Sequence, residues 1–221
     1  MKISLCGALV SMLSTLVAAQ QSPVPVEEEP HHHLVLKNDS VVVLRVKLLP
    51  GESTLFHTHL HDRVAVHLSD ATITQQKQGE PVSAPQVAKP GDVVVWESNG
   101  AYTHQLNNVG NGAFEVLDVE LLRRPTHAAS PATGRVEAEN PSARVYKWIL
   151  APGATSPMHT HERPYLIISA TPLMLKMTDP EGKSFTHEVM AGDVHWVDAK
   201  VTHSLANEGT TAGQIIEIEL K

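Results

Sequence analysis

The sequence contains an internal repeat, in which blocks of residues recur in the same order about 100 positions later. The first block, Leu44 to His59 (LRVKLLPGESTLFHTH), resembles Tyr146 to His161 (YKWILAPGATSPMHTH). Both contain Pro-Gly, five residues and then His-Thr-His, at an offset of 102 positions. A repeat of this length predicts two similar structural units, because each copy is long enough to bury a core of its own.

Two further blocks support the same division of the 221-residue chain. Lys89 to Asn108 matches Met190 to Asn207, and each contains Gly-Asp, a hydrophobic run, Thr-His, three residues and Asn. Phe114 to Leu122 matches Gly213 to Lys221. Three matches in one order indicate a duplication that spans most of the chain.

The local pattern of both copies is that of short β-strands. Runs rich in β-branched residues are bounded by Gly, Pro, Asn or Asp, and no segment shows a long period of 3.6 residues. The clearest runs are Val41 to Leu49, Val64 to Leu68, Val93 to Trp96, Val116 to Leu122 and Leu166 to Ser169. Many short strands at close spacing predict an all-β fold, a sandwich or a barrel in each copy.

The last strand of each copy alternates between apolar and acidic residues. Leu117, Val119 and Leu121 share one side, and Asp118 and Glu120 share the other. The second copy repeats this pattern with Ile216, Ile218 and Leu220 against Glu217 and Glu219. Side chains alternate across a strand, so this pattern is typical of a half-buried strand whose carboxylates form a solvated face.

The N-terminus has the features of a signal peptide over residues 1–19. Lys2 supplies a positive charge, the next residues are mostly apolar, and Val17-Ala18-Ala19 fits a small-x-small cleavage site. A transmembrane anchor is the alternative, although the stretch is short for spanning a bilayer. We therefore expect an exported protein, periplasmic or extracellular, without stable membrane insertion after cleavage.

The rest of the chain divides at changes in composition. A polar segment at 20–33, rich in Pro and Glu, is predicted to be flexible, and it ends in the cluster His31 to His33, a poor specific metal site. Domain 1 is predicted at 34–124 and domain 2 at 142–221. Between them, residues 125–141 are rich in Pro, Ala and Ser and are predicted to form a linker.

The charge of the chain limits its partners. The formal net charge is −7 and no basic stripe is present, so nucleic acid and anionic lipid are excluded as main partners. The unusual count is 14 histidines. Histidine is the commonest metal ligand among side chains, which directs attention to the repeated His-Thr-His segments.

Six histidines recur in a pattern suited to metal binding. Histidines two apart on a strand point to the same face, so each His-Thr-His can chelate one ion. The third ligand has to come from another strand, and the repeated Thr-His supplies it. The predicted sets are His57, His59 and His104 in the first copy and His159, His161 and His203 in the second. Neutral imidazoles suit Zn, Cu, Fe and Ni, and three protein ligands leave positions open for water, dioxygen or substrate.

These blocks resemble the two motifs of the cupin superfamily. Gly51, His57 and His59 match the start of the first motif, as do their counterparts in the second copy, and His104 with Asn108 matches the end of the second motif, as does His203 with Asn207. The resemblance covers about 180 residues. It implies a bicupin: two tandem jelly-roll β-barrels of the double-stranded β-helix type, each with one site for a divalent transition metal (Fe, Mn, Ni, Cu or Zn).

The chain departs from the first cupin motif after its second histidine. The expected glutamate is absent from both copies, where Arg63 or Val64 and Tyr165 or Leu166 stand. Each barrel is therefore expected to offer three histidines and no carboxylate. Tyr165 is expected to pack, with an inward acid as the alternative.

Polar residues near the missing glutamate have two interpretations. Asp62 and Glu162 are expected to be solvated turn residues, and Arg63 is expected to pair with Asp62 or Glu52 at the surface. If Arg63 instead faces inward, alternation places Ala65 and His67 inward too. An inward arginine would then suggest an anionic group on the substrate.

The function predicted from these features is a metal-dependent enzyme acting on a small organic substrate. The resemblance implies dioxygenases, decarboxylases, lyases and isomerases as reaction classes. A non-enzymatic protein that binds a small molecule or metal is one alternative, and one active barrel beside one structural barrel is another. No catalytic residue beyond the ligands is identified, and either a monomer or a homo-oligomer is compatible with two barrels in one chain.

Overall fold

Nearly all the regular structure of this protein is β-strand. A computed structural model describes residues 22–125, 134–198 and 200–221, in which the only helical element is a 3-10 turn at Val26–Glu28. The strands of the first copy are β1 Val24–Pro25, β2 His32–Lys37, β3 Val41–Leu48, β4 His57–His59, β5 Asp62–His67, β6 Ala71–Lys77, β7 Gln86–Ala88, β8 Val93–Trp96, β9 Tyr102–Asn108 and β10 Phe114–Leu121. Those of the second copy are β11 Val136–Glu139, β12 Ala143–Leu150, β13 His159–His161, β14 Tyr165–Ser169, β15 Leu173–Thr178, β16 Ser184–Val189, β17 Val194–Val197, β18 Val201–Asn207 and β19 Gly213–Leu220.

Each copy folds into two facing sheets. The first copy has the strand orders β1-β4-β9-β6-β7 and β2-β3-β10-β5-β8, and the second has β11-β12-β19-β14-β17 and β13-β18-β15-β16. The pairing is antiparallel except for β1 against β4. Most neighbours in these sheets, such as β3 and β10 or β12 and β19, are far apart in sequence, which is the jelly-roll type of connection. The prediction of an all-β fold is confirmed; the predicted signal peptide, 1–19, lies outside the described residues.

The repeated glycines and asparagines are structural. Gly51 and Gly153 have φ of 83° and 75°, in the left-handed region that favours glycine, so the Pro-Gly of each copy makes a tight turn. The Asn108 carboxamide donates hydrogen bonds to the Leu48 and Gly112 carbonyls, and Asn207 donates to the Leu150 and Thr211 carbonyls in the second copy. Both residue types therefore hold the loops that precede and follow the histidine strands.

The two barrels share one hydrophobic core between them. One face of β5 and β10 packs against one face of β14 and β19, and the buried cluster contains residues from both copies. Its members are Val41, Val43, Val64, Val66, Leu68, Leu117, Val119, Leu121, Ala143, Val145, Leu166, Ile168, Ala170, Ile216 and Ile218. The apolar side of each alternating strand is therefore buried between the barrels.

The acidic side of the same strands faces the barrel interiors. Asp118, Glu120, Glu217 and Glu219 are each at most 5% exposed. The prediction of a solvated carboxylate face is therefore wrong. Alternation correctly separates the two sides of the strand, but both sides are covered, one by the other barrel and one by the facing sheet.

The segments that precede and follow the first barrel contain β-strands. In the described part of the segment predicted to be flexible, residues 22–33, β1 pairs with β4 and the side chains of Glu29 and His32 are buried. In the described part of the predicted linker, β11 pairs with β12. Both segments add an edge strand to a barrel, because polar residues on an edge can pair through their backbone.

Asp62 joins the two barrels rather than standing in a solvated turn. Its carboxylate accepts hydrogen bonds from the Ser98 amide at 2.7 Å, from Arg124 at 2.7 Å and, across the interface, from the Ser142 hydroxyl at 2.6 Å. Burial alone raises the pKa of Asp62, but these hydrogen bonds outweigh it and hold the pKa below 3.8. The ionised Asp62 carboxylate therefore stabilises the folded protein above pH 3.8, and this stabilisation is lost as the pH falls below that value.

We expect Asp62→Ala to destabilise the protein by about 1–3 kcal/mol at neutral pH, because three donors lose a charged acceptor. Urea unfolding followed by circular dichroism would measure this free energy. The loss should shrink as the pH falls from 3.8 towards the lowered pKa at which the folded wild-type carboxylate is protonated. An equal loss at pH 7 and pH 3 would show that the ionised carboxylate does not hold the interface.

Candidate metal centres

Two histidine triads occupy matching positions in the two barrels. In the first barrel His57 on β4 lies directly opposite His104 on β9. In the second, His159 on β13 lies opposite His203 on β18. The second histidine of each His-Thr-His, His59 or His161, follows on the same face. The structure thus brings together every histidine of the two predicted sets, and all six are buried.

The threonines of the repeated blocks explain why the strands pair in this register. Thr58 Oγ1 lies 2.8 Å from Thr103 Oγ1, and Thr160 Oγ1 lies 2.9 Å from Thr202 Oγ1. These hydroxyls project to the face opposite the histidines, since side chains alternate along a strand. Each Thr–Thr contact therefore fixes the pairing that places the first and third histidines side by side.

The outer nitrogens of two histidines in each triad are hydrogen-bonded to oxygen. Nδ1 of His57 donates to the Leu55 carbonyl at 2.9 Å, and Nδ1 of His59 donates to Glu120 at 2.7 Å. In the second barrel, Nδ1 of His159 donates to the Pro157 carbonyl at 2.9 Å and Nδ1 of His161 to Glu219 at 3.0 Å. Acceptors at Nδ1 orient the ring and direct Nε2 into the barrel, as partners of metal-binding histidines do.

The second triad includes a carboxylate. The Glu217 carboxylate lies 3.1 Å from His159 Nε2, 3.4 Å from His161 Nε2 and 3.0 Å from His203 Nε2. The Trp148 indole N–H donates to it at 2.6 Å. Glu217 comes from β19, the last strand, so the expectation of three histidines and no carboxylate is wrong for this barrel.

Opposite charges attract the Glu217 carboxylate and the histidines of the second site to one another. Burial alone raises the pKa of Glu217, but the three histidines beside the carboxylate outweigh burial and hold the pKa well below 4.5. Burial lowers the pKa of His161, but Glu217 and Glu219 outweigh it and raise the pKa to about 9. The carboxylate is thus ionised and draws a positive charge into the barrel, which is the electrostatic requirement of a cation site.

The first barrel has a buried cation, Arg63, beside its histidine triad. Arg63 is 4% exposed, its NH1 donates to His59 Nε2 at 2.8 Å, and its guanidinium carbon lies 4.0 Å above the Trp96 ring. The surface position expected for Arg63 is therefore wrong, and the inward alternative is correct. Asp118, the counterpart of Glu217, lies 3.6 Å from Arg63 NH1.

Tyr165 stands at the position of Arg63 in the second barrel. Its ring stacks on His161 with the centroids 3.9 Å apart, as the expectation of packing required. Burial, with the charges of Glu217 and Glu219, raises the pKa of its hydroxyl. The hydroxyl is therefore neutral at ordinary pH, and within the described chain it has no hydrogen-bond partner.

The donor atoms of the second site fit a divalent transition metal. Ligand atoms of His159, His161, His203 and Glu217 all lie within 4.8 Å of one another. Four ligands about 2.1 Å from an ion lie about 3.3 Å apart, close to the contacts around Glu217. Three nitrogens and one carboxylate oxygen suit Fe, Mn, Ni, Cu or Zn.

The first triad fits a metal less directly. His57, His59 and His104 also have ligand atoms within 4.8 Å of one another, and no hydrogen-bond partner for His57 Nε2 lies in the described part of the chain. However, Arg63 donates to the lone pair of His59 that an ion would need. Metal binding here requires the guanidinium to move, so we expect this site to hold a cation more weakly than the second.

The cavities of the two barrels differ. A cavity of about 180 Å³ in the first barrel is lined by His57, His104 and Arg63, and a surface pocket of about 390 Å³ opens over Arg63 and Trp96. The second barrel has a cavity of about 510 Å³ with mainly apolar walls, which include Tyr165 and Ile167. The two barrels therefore enclose cavities of different size and lining despite their common fold.

Several residues of the two sites carry no motif that identifies them in the sequence. Glu120, Glu217 and Glu219 have no motif of their own, although the repeated alternating strand marks the positions. His32, from the His31 to His33 cluster, packs 4.5 Å from the His57 ring between centroids, and Glu29 accepts a hydrogen bond from it. Residues such as these are visible only when distant strands are assembled.

Comparison with known proteins places the fold. No family model matches the chain. Among curated proteins, the β-alanine degradation protein BauB of Pseudomonas aeruginosa is 29% identical over 90 residues, which cover 41% of this chain and 94% of that protein. The aligned length is that of about one barrel. In the described portion of the present chain, no helix is long and apolar enough to cross a membrane.

Solved structures match both barrels together. AerE from Microcystis aeruginosa has a TM-score of 0.61 at 15% identity and covers 90% of this chain and 98% of its own. A cupin 2 conserved barrel domain protein from Leptotrichia buccalis has a TM-score of 0.51 at 13% identity and covers 94% of this chain and 100% of its own. Salicylate 1,2-dioxygenase from Pseudaminobacter salicylatoxidans has a TM-score of 0.54 at 12% identity and covers 81% of this chain and 70% of its own. With its paired sheets and two histidine triads, the chain has the fold of these cupin-domain structures, repeated as two tandem barrels in one polypeptide.

Proposed function

We propose that this bicupin is a metal-dependent enzyme acting on a small organic molecule, with its main metal centre in the second barrel. The observation that carries the proposal is the convergence of three buried histidines on the buried carboxylate of Glu217. Four such donors around one point suit a divalent transition metal, and a hydrogen-bonded shell of Glu219, Pro157 and Trp148 holds them in place.

The apolar cavity of the second barrel is the proposed substrate site. Its volume of about 510 Å³ lies within the range of small-molecule pockets, about 300–1,000 Å³. Tyr165 lines this cavity and stacks on His161, and Val201, which also lines it, pairs with His161 across β13 and β18. A substrate in the cavity therefore lies next to the metal ligands.

The residues around the cavity would have separate roles in the reaction. A bound metal would supply Lewis acidity or a site for dioxygen or water, which are the chemistries of the enzyme classes named above. The apolar walls exclude water and strengthen electrostatic interactions at the centre. Tyr165, with a neutral and unpartnered hydroxyl in the described chain, is placed to donate a hydrogen bond to the substrate. Trp148 and Glu219 position the ligands.

The role of the first barrel is different in this proposal. Arg63 occupies the lone pair of His59, which favours the arrangement with one active barrel over two equivalent catalytic sites. Export is a further part of the proposal, and it rests on the signal-peptide features of residues 1–19. The curated relative, whose name refers to β-alanine degradation, supports a small organic substrate.

Metal analysis of the untagged protein tests the proposal. After dialysis against a weak chelator, we expect wild type to retain about one equivalent of a transition metal, because the second site joins a carboxylate to all three histidines, whereas Arg63 donates to His59 in the first. His159→Ala/His161→Ala should lose this equivalent, and the matched variant His57→Ala/His59→Ala should keep it. Inductively coupled plasma mass spectrometry would count the metal in each protein.

Three outcomes would contradict the proposal. Wild type that binds no transition metal even after reconstitution would refute the metal centre. If His159→Ala/His161→Ala keeps the metal and His57→Ala/His59→Ala loses it, the metal centre lies in the first barrel. A metal-loaded protein that holds a co-purified small molecule and converts nothing across a broad substrate panel would instead favour a binding protein.

A further inference from the structure

We propose that the first barrel is a receptor for a small organic carboxylate, which is held by the guanidinium of Arg63. This site is separate from the metal centre of the second barrel and does not depend on it. The ligand of the first barrel is thus an organic carboxylate, although its histidines alone suggest a second metal ion.

The first argument is the unmet hydrogen-bonding capacity of Arg63. NH1 donates to His59 Nε2, but NH2 is buried and has no hydrogen-bond partner in the described residues. Asp118 lies 3.6 Å from NH1, beyond hydrogen-bond distance, and its own Oδ1 also lacks a partner there. Buried charged groups are normally hydrogen-bonded, so unused donors on a guanidinium indicate a missing acceptor.

The second argument is that Arg63 is held rigidly where a ligand can reach it. Its guanidinium carbon lies 4.0 Å above the Trp96 ring and 5.3 Å from the Tyr102 ring centroid. Stacking on aromatic rings fixes the plane of the guanidinium, whose buried NH2 has no hydrogen-bond partner in the described residues. A planar edge with parallel N–H groups is the geometry that recognises a carboxylate through two hydrogen bonds.

The third argument is the space on either side of the guanidinium. Arg63 lines both the interior cavity of about 180 Å³ and the surface pocket of about 390 Å³. The pocket rim also contains Lys77, which is paired with Glu80, and its one carboxylate, Glu97, lies 3.9 Å from Arg124. A small anion can therefore approach Arg63 from solvent past a rim whose one carboxylate is paired with an arginine.

The position of Arg63 in the repeat shows that this feature belongs to one barrel only. Its counterpart Tyr165 carries no charge, and the counterpart of Asp118 is Glu217, whose longer side chain reaches the three histidines. The exchange of Arg and Asp for Tyr and Glu converts a carboxylate-binding barrel into a metal-binding one on the same backbone.

Calorimetric titration with propionate tests the proposal, with propionamide as an uncharged probe of the same shape. We expect wild type to bind propionate and to bind propionamide at least tenfold more weakly. Arg63→Gln should weaken propionate binding at least tenfold, and Arg63→Lys should restore part of it, because a charge without the planar fork remains. Arg135→Gln, which removes an exposed arginine, is the matched control and should bind propionate as wild type does.

The same titration on His159→Ala/His161→Ala separates this proposal from the metal centre. We expect propionate binding to persist in that variant, since Arg63 is untouched. Loss of binding there, with binding kept in Arg63→Gln, would make the second-barrel metal the receptor and overturn the proposal. Equal binding of propionate and propionamide would overturn it as well. Circular dichroism and retained metal in the second barrel would show that each Arg63 variant is folded.

Discussion

Glu217→Gln is expected to remove most of the metal affinity of the second barrel while leaving the fold intact. Glutamine has the size and shape of glutamate and still offers an oxygen to the Trp148 indole, which donates to this side chain at 2.6 Å. It lacks the negative charge that three buried histidines surround. Loss of outer partners of metal ligands costs about 10- to 100-fold in affinity, so removal of a charged ligand should cost at least that much.

Competition with a chromogenic chelator would measure the affinity of Glu217→Gln and wild type for Zn²⁺ and Mn²⁺. The matched control is Asp118→Asn, the same change at the corresponding position of the first barrel, which should leave the affinity of the second site unchanged. An unaltered affinity in Glu217→Gln would show that the carboxylate is not a ligand. The site would then be a three-histidine centre like the one predicted from the sequence.

Leu166→Ala is expected to destabilise both barrels together by about 2–5 kcal/mol. Leu166 is fully buried in the cluster that the two barrels share, so the substitution leaves a cavity that rigid strands on either side cannot close. Because Val64, Val119 and Ile218 belong to the same cluster, the lost contacts belong to both units. We therefore expect one cooperative unfolding transition at a lower urea concentration, without a populated state in which only one barrel is folded.

Urea unfolding followed by far-ultraviolet circular dichroism and by tryptophan fluorescence would test this, since Trp96 lies in the first barrel and Trp148 and Trp196 lie in the second. Leu49→Ala is the matched control. Leu49 is 51% exposed, and its loss should change the free energy of unfolding by no more than about 0.5 kcal/mol. Two separated transitions would mean that the shared cluster does not couple the barrels.

Much of the site could be predicted because the repeat supplies a second copy of every motif. A single His-Thr-His has many uses, but two copies that each precede a Thr-His by a similar distance identify both triads. The structure places these residues in cross-strand register, His57 opposite His104 and His159 opposite His203. The histidines of each triad lie together because the period of a strand fixes which side chains share a face.

The remaining site residues could not be predicted because they come from strands that are distant in sequence. The sequence by itself determined the duplication, the β-strands, the histidine triads and the two sides of each alternating strand. Only the tertiary structure decided that both sides are buried, that Glu217 completes the second triad and that Arg63 faces inward in the first. The physical reason is that alternation determines the side of a strand on which a residue lies, whereas burial depends on which sheet or barrel packs against that side.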